Sequence, residues 1–313
     1  MVILSSFFDF EFVSVGNFWY FFFIVTSFAL TWLSLALCHH YGKKFARIFI
    51  LVLLWGNFAL HFLKQFLPYW YSSWPYTLAD SLGPNLCAIL IVTAPFIFLF
   101  GNDYFKDYFF YIGLISGVAV HFYPTGTMDH ASYPGGFFSN PNYYIAVIRF
   151  YFCHLVLIIT SLLSVEQGFH KLNYKRLWAV PLIYALYLAG VSFNAILLGP
   201  ILHHPYFPQD WIGADGVLNF NAKHASIANQ SMNFGPQPFL DGIIRPLYRY
   251  FLPLGVFQID GDYYFVPVLW QIPFIYLGAL IAGPLMCLPF DYAHMKRDFL
   301  GFKQRRKLRK LSR

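Results

Sequence analysis

Long apolar runs separated by short polar turns fill most of this chain, and seven of the runs predict helices. About 20 apolar residues in a helix span the ~30 Å hydrocarbon core of a bilayer, and each run has roughly that length. The predicted helices cover residues 18–38 and, approximately, 45–66, 82–100, 104–123, 143–164, 177–199 and 264–289. The pattern therefore predicts an all-α membrane protein, a single bundle of about seven transmembrane helices.

The polar segments divide the chain into a membrane domain and a tail. Residues 1–289 form the predicted transmembrane domain, and residues 290–313 form a basic cytoplasmic tail. One connection, at about 200–263, is much longer than the others and lies on the outer side, before the last helix. A connection of this length in a compact protein is usually a lid or a binding element. Within it, residues 243–257 combine aromatic and basic side chains, which predicts a segment along the outer leaflet.

Basic residues indicate how the bundle is oriented, because cytoplasmic segments are enriched in Lys and Arg. With the N-terminus outside, 16 of the 21 Lys and Arg residues fall in inner segments, nine of them in the tail, and four fall in outer segments. The distribution predicts an N-out, C-in topology. We expect the protein to reside in the cell (plasma) membrane.

Composition excludes several classes of protein. Hydrophobic residues make up 58% of the chain and charged residues 11%, against about 25% charged in soluble domains. The formal net charge of +7 is concentrated in the tail, so it reports on orientation and not on nucleic-acid binding. The four cysteines form no CxxC pair and no zinc-type spacing. The sequence therefore predicts neither a disulfide framework nor a metal or cofactor site.

Residues 80–87 are the first candidate for chemistry. Asp80 or Ser81 can cap a helix, Pro84 suits a first helical position, and Cys87 follows within the first turn. Free N–H groups and the helix dipole at that position favour a thiolate, which makes Cys87 a candidate nucleophile. The alternative is that Cys87 is an inert packing residue, as most buried free cysteines are.

Polar side chains on the second predicted helix are the next candidates. Asn57, His61 and Lys64 follow one another at i, i+4 and i+7 and therefore share one face. Lys64 is close enough to the outer end to extend into the interface. Asn57 and His61 either hydrogen-bond to a neighbouring helix or line a site.

Four further polar residues lie within predicted spans. His154 is surrounded by apolar residues, so we expect a neutral imidazole, which suits either a general base or a hydrogen-bonded structural histidine. Arg149 is a candidate for binding a phosphate or a carboxylate. Asn194 on the sixth helix is a possible lining residue, as is Gln271 on the seventh.

A stripe of small residues marks the fourth predicted helix. Gly113, Gly117 and His121 recur at a spacing of four. The two glycines predict close packing against another helix. His121 lies beside Pro124, where a solvated interfacial histidine is the simplest interpretation.

Several short motifs, in order, resemble those of the YwaF-type integral membrane proteins, a family related to the transmembrane protein 164 acyltransferases. They are Pro84-Asn-Leu-Cys87, Tyr108-Phe-Phe-Tyr-Ile-Gly-Leu114, Arg149-Phe-Tyr-Phe-Cys-His154, Asn229-Gln-Ser-Met-Asn233, Arg245-Pro-Leu-Tyr248 and Ala282-Gly-Pro-Leu285. The resemblance implies a cysteine-dependent glycerophospholipid acyltransferase in which Cys87 carries an acyl thioester and His154 assists it. Asn57, His61, Arg149 and Asn194 are then the candidate substrate-binding residues.

A non-enzymatic function is the competing hypothesis. In a carrier of a lipid or small solute, the same polar residues would line a path and Cys87 would be a packing residue. Membrane phospholipids are the expected partners in the enzyme interpretation, and nucleic acid is not. The sequence leaves the oligomeric state open.

Overall fold

A computed structural model of the chain describes residues 10–67, 81–83, 85–124, 127–128, 135–194, 230–233, 235–236, 238–251, 254–259 and 261–311. The helices in it are α1 (Phe18–Leu63), α2 (Leu86–Phe100), α3 (Asp103–Phe122), α4 (Gly136–Ser139), α5 (Pro141–Glu166), α6 (Ala179–Phe193), α7 (Pro238–Ile244), α8 (Tyr248–Phe251) and α9 (Ile272–Leu311). The strands are β1 (Val256–Ile259) and β2 (Asp262–Phe265), which pair antiparallel. The predicted helical class is confirmed.

Within the described residues, three helical stretches are long and apolar enough to cross a membrane: Phe18–Phe66, Pro141–Glu166 and Leu269–Gly301. Shorter apolar helices cover Leu86–Phe100 and Ala179–Phe193. At 1.5 Å per residue, the first stretch of 49 residues would extend about 74 Å if straight, more than twice the ~30 Å of a bilayer core. It is therefore long enough for two passes.

Gly42 divides α1 into two segments. Its φ of 80° is in the left-handed region, which interrupts the helix and is favourable for glycine. Phe23 in the first segment stacks on Tyr151 of α5 at 4.2 Å, while Asn57 in the second segment donates to the Cys153 carbonyl at 3.1 Å. Since both segments lie beside the same part of α5, they run antiparallel. The predicted first and second helices are thus one hairpin.

The central helix of the bundle is α5. Every residue from Cys153 to Ser161 is buried, so this stretch of α5 is enclosed on all sides, as a helix with apolar residues around its whole circumference should be. The close approach of α3 depends on the predicted glycine stripe. A Cβ on Gly113 would lie 2.4 Å from Ser161 Oγ, and one on Gly117 would lie 2.6 Å from Ile158 Cγ1. The sequence prediction of close packing there is confirmed.

Contacts between the helices define two ends of the bundle. The Cys87 end contains His61, Cys87 and Arg149. The Asp107 end contains Asp107 and His170, which are joined by a 2.7 Å hydrogen bond. Along the described chain, the two segments of α1 and then α2, α3, α5, α6 and α9 run alternately between these ends.

The region before the last helix differs from the sequence prediction. Residues 264–265 belong to β2, and α9 begins at Ile272 instead of near residue 264. The predicted interfacial segment, residues 243–257, covers the end of α7, all of α8 and the start of β1. Residues 195–229, which include nearly half of the predicted long connection, lie outside the described residues.

The last helix also continues beyond its predicted end. It breaks at Asp291, where φ is −127°, and resumes as far as Leu311. Tyr174 donates to Asp298 at 2.7 Å and Lys175 pairs with the same carboxylate, which attaches the second segment to the turn before α6. The bond to Asp298 raises the pKa of Tyr174 above its ordinary value. The first part of the predicted tail is therefore helical and docked on the bundle.

Candidate functional site

Cys87 occupies the second position of α2. Asn85 is the N-cap, and its Oδ1 accepts a 2.9 Å hydrogen bond from the Ala88 amide. The cap expected at Asp80 or Ser81 is therefore at Asn85, while Asp80 and Pro84 lie outside the described residues. Because the positive end of the helix dipole favours negative charge, the expected environment of Cys87 at a helix start is present.

A segment distant in sequence, Ser231–Asn233, contacts the start of α2. The Leu86 amide donates to Ser231 Oγ at 2.8 Å, across 145 residues of sequence. Ser231 and Met232 both have left-handed backbone angles, with φ of 60° and 57°. Such conformations cost about 1–3 kcal/mol each and are retained where surrounding contacts enforce them.

Residues between β2 and α9 hold the Ser231–Asn233 segment in place by hydrogen bonds. Gln271 Nε2 donates to the carbonyl oxygens of Ser231 (3.1 Å) and Met232 (3.0 Å). Asn233 accepts from the Val268 amide at 3.0 Å and donates to Ser192 Oγ at 2.6 Å on α6. Val268 is itself strained, with φ of 69°. Gln271, expected only as a lining residue, therefore fixes the Ser231–Met232 backbone that contacts the start of α2.

Side chains from several helices lie close to the Cys87 thiol. It shares a hydrogen bond with the Ser116 hydroxyl of α3, and Cys153 of α5 is close enough to interact with it electrostatically. Tyr184 of α6 is a further neighbour. Cys87 is partly exposed, whereas Cys38, Cys153 and Cys287 are buried. The sequence analysis did not identify Ser116, since a single serine in an apolar helix carries no distinguishing pattern.

Asn57 and His61 lie at the same end, on the face of α1 that packs on α5. His61 Nε2 donates to the Ser81 carbonyl oxygen at 3.2 Å, which joins this face to the segment leading to Cys87. Lys64 is only 5% exposed, so it is more deeply placed than the predicted interfacial lysine. Arg149 and Lys64 both interact electrostatically with His61. Two cations, an imidazole and an amide are therefore grouped beside the start of α2.

The hydrogen bonds of the buried histidines determine their tautomers, because a carbonyl oxygen can only accept. His154 Nδ1 donates to the Phe150 carbonyl at 2.7 Å, which leaves Nε2 as the basic nitrogen. His121 donates from Nδ1 to the Gly117 carbonyl at 2.6 Å and accepts from Ser27 at Nε2. His121 is thus buried and bonded at both nitrogens, and the expectation of a solvated histidine is wrong.

The structure does not bring all of the predicted site residues together. His154 interacts with Phe150, His121 and Arg149, while the partners of Cys87 are those named above. Among the described residues these interactions do not join the two, so the pairing of Cys87 with His154 stays a prediction. Asn194 is buried at the end of α6, beside Ser192, and its role also stays a prediction.

The opposite end of the bundle has a charged cleft of about 650 Å³. Its polar lining comes from Asp103, Lys171, Asn173, Arg176, Asp291, His294 and Arg297. Beside it, Arg176 donates to the buried Asp107 from Nε (2.6 Å) and Nη2 (3.1 Å). This bonding raises the pKa of Arg176 above its ordinary value. No group of three potential metal ligands occurs in the parts of the chain that the structure describes.

Comparison with known proteins gives one match. A family model described as the TMEM164 family matches residues 11–215, about two thirds of the chain. The matched range includes Asn57, His61, Cys87, Arg149 and His154. Neither the curated proteins nor the solved structures contain a significant match.

Proposed function

Since the chain belongs to the TMEM164 family, a family of membrane proteins, we propose that it is an integral membrane acyltransferase. It moves a fatty acyl group between glycerophospholipids and lysophospholipids through a thioester on Cys87. The observation that supports this function best is the position of Cys87, a cysteine that is not fully buried, at a helix N-terminus, with its thiol beside the Ser116 hydroxyl. The helix start and the neighbouring hydroxyl both favour a thiolate.

In the first half-reaction, the Cys87 thiol gives its proton to Nε2 of His154 and attacks an ester carbonyl of the donor phospholipid. The S–C bond forms, the C–O bond breaks, and the departing lysophospholipid oxygen takes the proton from His154. In the second half-reaction, an acceptor hydroxyl gives its proton to His154 and attacks the thioester. The new C–O bond forms, the C–S bond breaks, and the Cys87 thiolate recovers the proton. No further reactant is needed.

The remaining site residues bind and orient the lipid. Arg149 provides positive charge for the phosphate, as guanidinium groups commonly do. Asn57, His61 and Asn194 contact the polar head.

We also propose that the seven alternating helical segments are seven spans, N-out and C-in, in the plasma membrane. The Asp107 end, which has the charged cleft and the docked start of the tail, then faces the cytoplasm. A reporter fused after Arg313 should be active only in its cytoplasmic form, because nine basic residues in the tail resist translocation. Cleavage of that tail by external protease in intact cells would contradict the topology.

The decisive test of the function is an acyl-enzyme. Purified protein incubated with an isotope-labelled diacyl phospholipid should acquire one acyl mass on the peptide that contains Cys87, and hydroxylamine should remove it, as expected for a thioester. A lipid carrier would bind the same phospholipid without covalent labelling. Stoichiometric lipid binding with no acylated peptide would therefore favour the carrier hypothesis.

A further inference from the structure

Backbone strain in the described part of the chain is concentrated at one place. Among the described residues, three that are not glycine have left-handed φ angles: Ser231, Met232 and Val268. This conformation is a genuine outlier for a β-branched residue such as valine. Strain of this kind persists only where surrounding contacts enforce it, and it clusters at active sites and switch regions. Asn233 Oδ1 accepts from the Val268 amide, so the three strained residues belong to one structure.

Gln271 is the side chain that holds this strained structure. It is 4% exposed, and its amide is bonded at both ends. Nε2 donates to the carbonyl oxygens of Ser231 and Met232, at 3.1 and 3.0 Å. Oε1 accepts from the Tyr184 hydroxyl at 3.2 Å. Buried polar networks that are satisfied in this way specify a single geometry, so the amide fixes the two strained carbonyl groups relative to α6.

The bonds through Gln271 lead to Cys87 from two directions. On one side, Ser231 Oγ accepts from the amide of Leu86, the residue before Cys87, at 2.8 Å. On the other side, Tyr184 belongs to α6, which packs against α2, and it interacts electrostatically with Cys87. Leu86, Ser231, Gln271 and Tyr184 therefore form a network, the Gln271 network, that begins and ends beside the thiol.

We infer that Gln271 and Ser231 are positioning residues for the Cys87 nucleophile. They act on the first turn of α2, and the direction of the thiol follows that turn. Reacting atoms must approach to about 3–3.5 Å, and a displacement of about 1 Å can lower the rate about 100-fold. Both residues lie beyond residues 11–215, the range that matches the family model. The inference rests on the proposed function, because it requires Cys87 to be the nucleophile.

Ser231→Gly separates positioning from stability. Glycine adopts a left-handed φ without a steric penalty, so this substitution removes the hydroxyl bonded to the Leu86 amide and relieves strain at the same position. For acyl transfer in nanodiscs, we expect kcat to fall about 10-fold while KM stays within about 3-fold, because the lipid contacts are elsewhere. Tm should not fall. Ser231→Ala retains the strain, so it should lose the same activity with a lower Tm. An unaltered kcat in Ser231→Gly would overturn the inference.

Gln271→Met tests the other positioning residue. Methionine has a similar length but makes none of the three amide bonds, so kcat should fall by about 10- to 100-fold. Val268→Gly is the matched control. It relieves strain in the same structure and keeps the bond from its own amide to Asn233, so kcat should stay within about 3-fold of the unaltered value. An equal fall of kcat in Val268→Gly and Gln271→Met would contradict a specific role for the Gln271 network.

Hydrogen exchange of the amides in the first turn of α2 provides a measurement that does not need turnover. Exchange should be about 10-fold faster in Ser231→Gly and Gln271→Met and unaltered in Val268→Gly. Unaltered exchange in the first two variants would refute the positioning role. Absence of acyl transfer by the unaltered protein would refute the proposed function itself, and this inference with it. Transfer by the unaltered protein together with an unaltered kcat in Ser231→Gly would refute this inference alone.

Discussion

Replacing Cys87 by Ser is expected to lower acyl transfer by about 10³-fold or more, and replacing His154 by Gln should have a comparable effect. A serine hydroxyl at the same helix start is a much weaker nucleophile than a thiolate. The glutamine amide can donate to the Phe150 carbonyl as His154 does, but it has no basic nitrogen. If the two residues act as one unit, the double variant should be little slower than either single variant, because such effects are strongly non-additive.

The measurement is transfer of a labelled acyl group between phospholipids in nanodiscs, with stability followed by thermal unfolding. Cys38→Ala is the control: it removes a buried thiol from the first segment of α1, and activity should stay within about 3-fold of the unaltered protein. Full additivity of the Cys87 and His154 effects would show that they act separately. In that case another group, such as the Ser116 hydroxyl bonded to Cys87, would be the residue to examine as its proton partner.

Apolar runs were sufficient to predict the positions of the long helices, because a membrane helix needs a continuous apolar surface and little else. The glycine stripe of α3 was predictable for a similar reason. Gly113 and Gly117 recur with the helical period, and only a missing Cβ permits the observed approach to Ser161 and Ile158.

Features that depend on long-range geometry were not predictable. Asp80, Ser81 and Asn85 are all good N-cap residues, and only the backbone shows that Asn85 caps α2. The bond from the Leu86 amide to Ser231 spans 145 residues, and no local pattern marks a serine for a left-handed conformation. Similarly, a sequence identifies a histidine but not its tautomer, which depends on the carbonyl that each ring nitrogen meets.

The candidate site was also predictable from the sequence only in part. Asn57 and His61 were identified as one helical face, and Cys87 as a helix-start thiol, from spacing alone. The hydrogen bond between His61 and the Ser81 carbonyl shows that this face lies next to the segment leading to Cys87. The burial of Lys64 depends on the tertiary structure, which hydropathy along the chain does not report.

Asp107→Ala should produce the largest loss of stability, about 3–5 kcal/mol in the free energy of unfolding. The side chain is 1% exposed and accepts from His170 at 2.7 Å and from Arg176 through two nitrogens. Its removal leaves the buried His170 donor unpaired and Arg176 without its main counter-charge. Unfolding by heat and by denaturant in mixed micelles, with helix content as the signal, measures the loss.

Asp103→Ala provides the comparison within the same helix and the same ion-pair network. Asp103 also pairs with Arg176, at 3.0 Å, but its side chain is 64% exposed, so solvent screens the interaction. Its removal should cost about 1 kcal/mol. Equal effects of the two substitutions would mean that burial at Asp107 adds nothing. The network lies at the end opposite Cys87, so the folded fraction of the Asp107 variant should transfer acyl groups at the unaltered rate. A loss of activity greater than the loss of folded protein would show that Asp107 also affects catalysis.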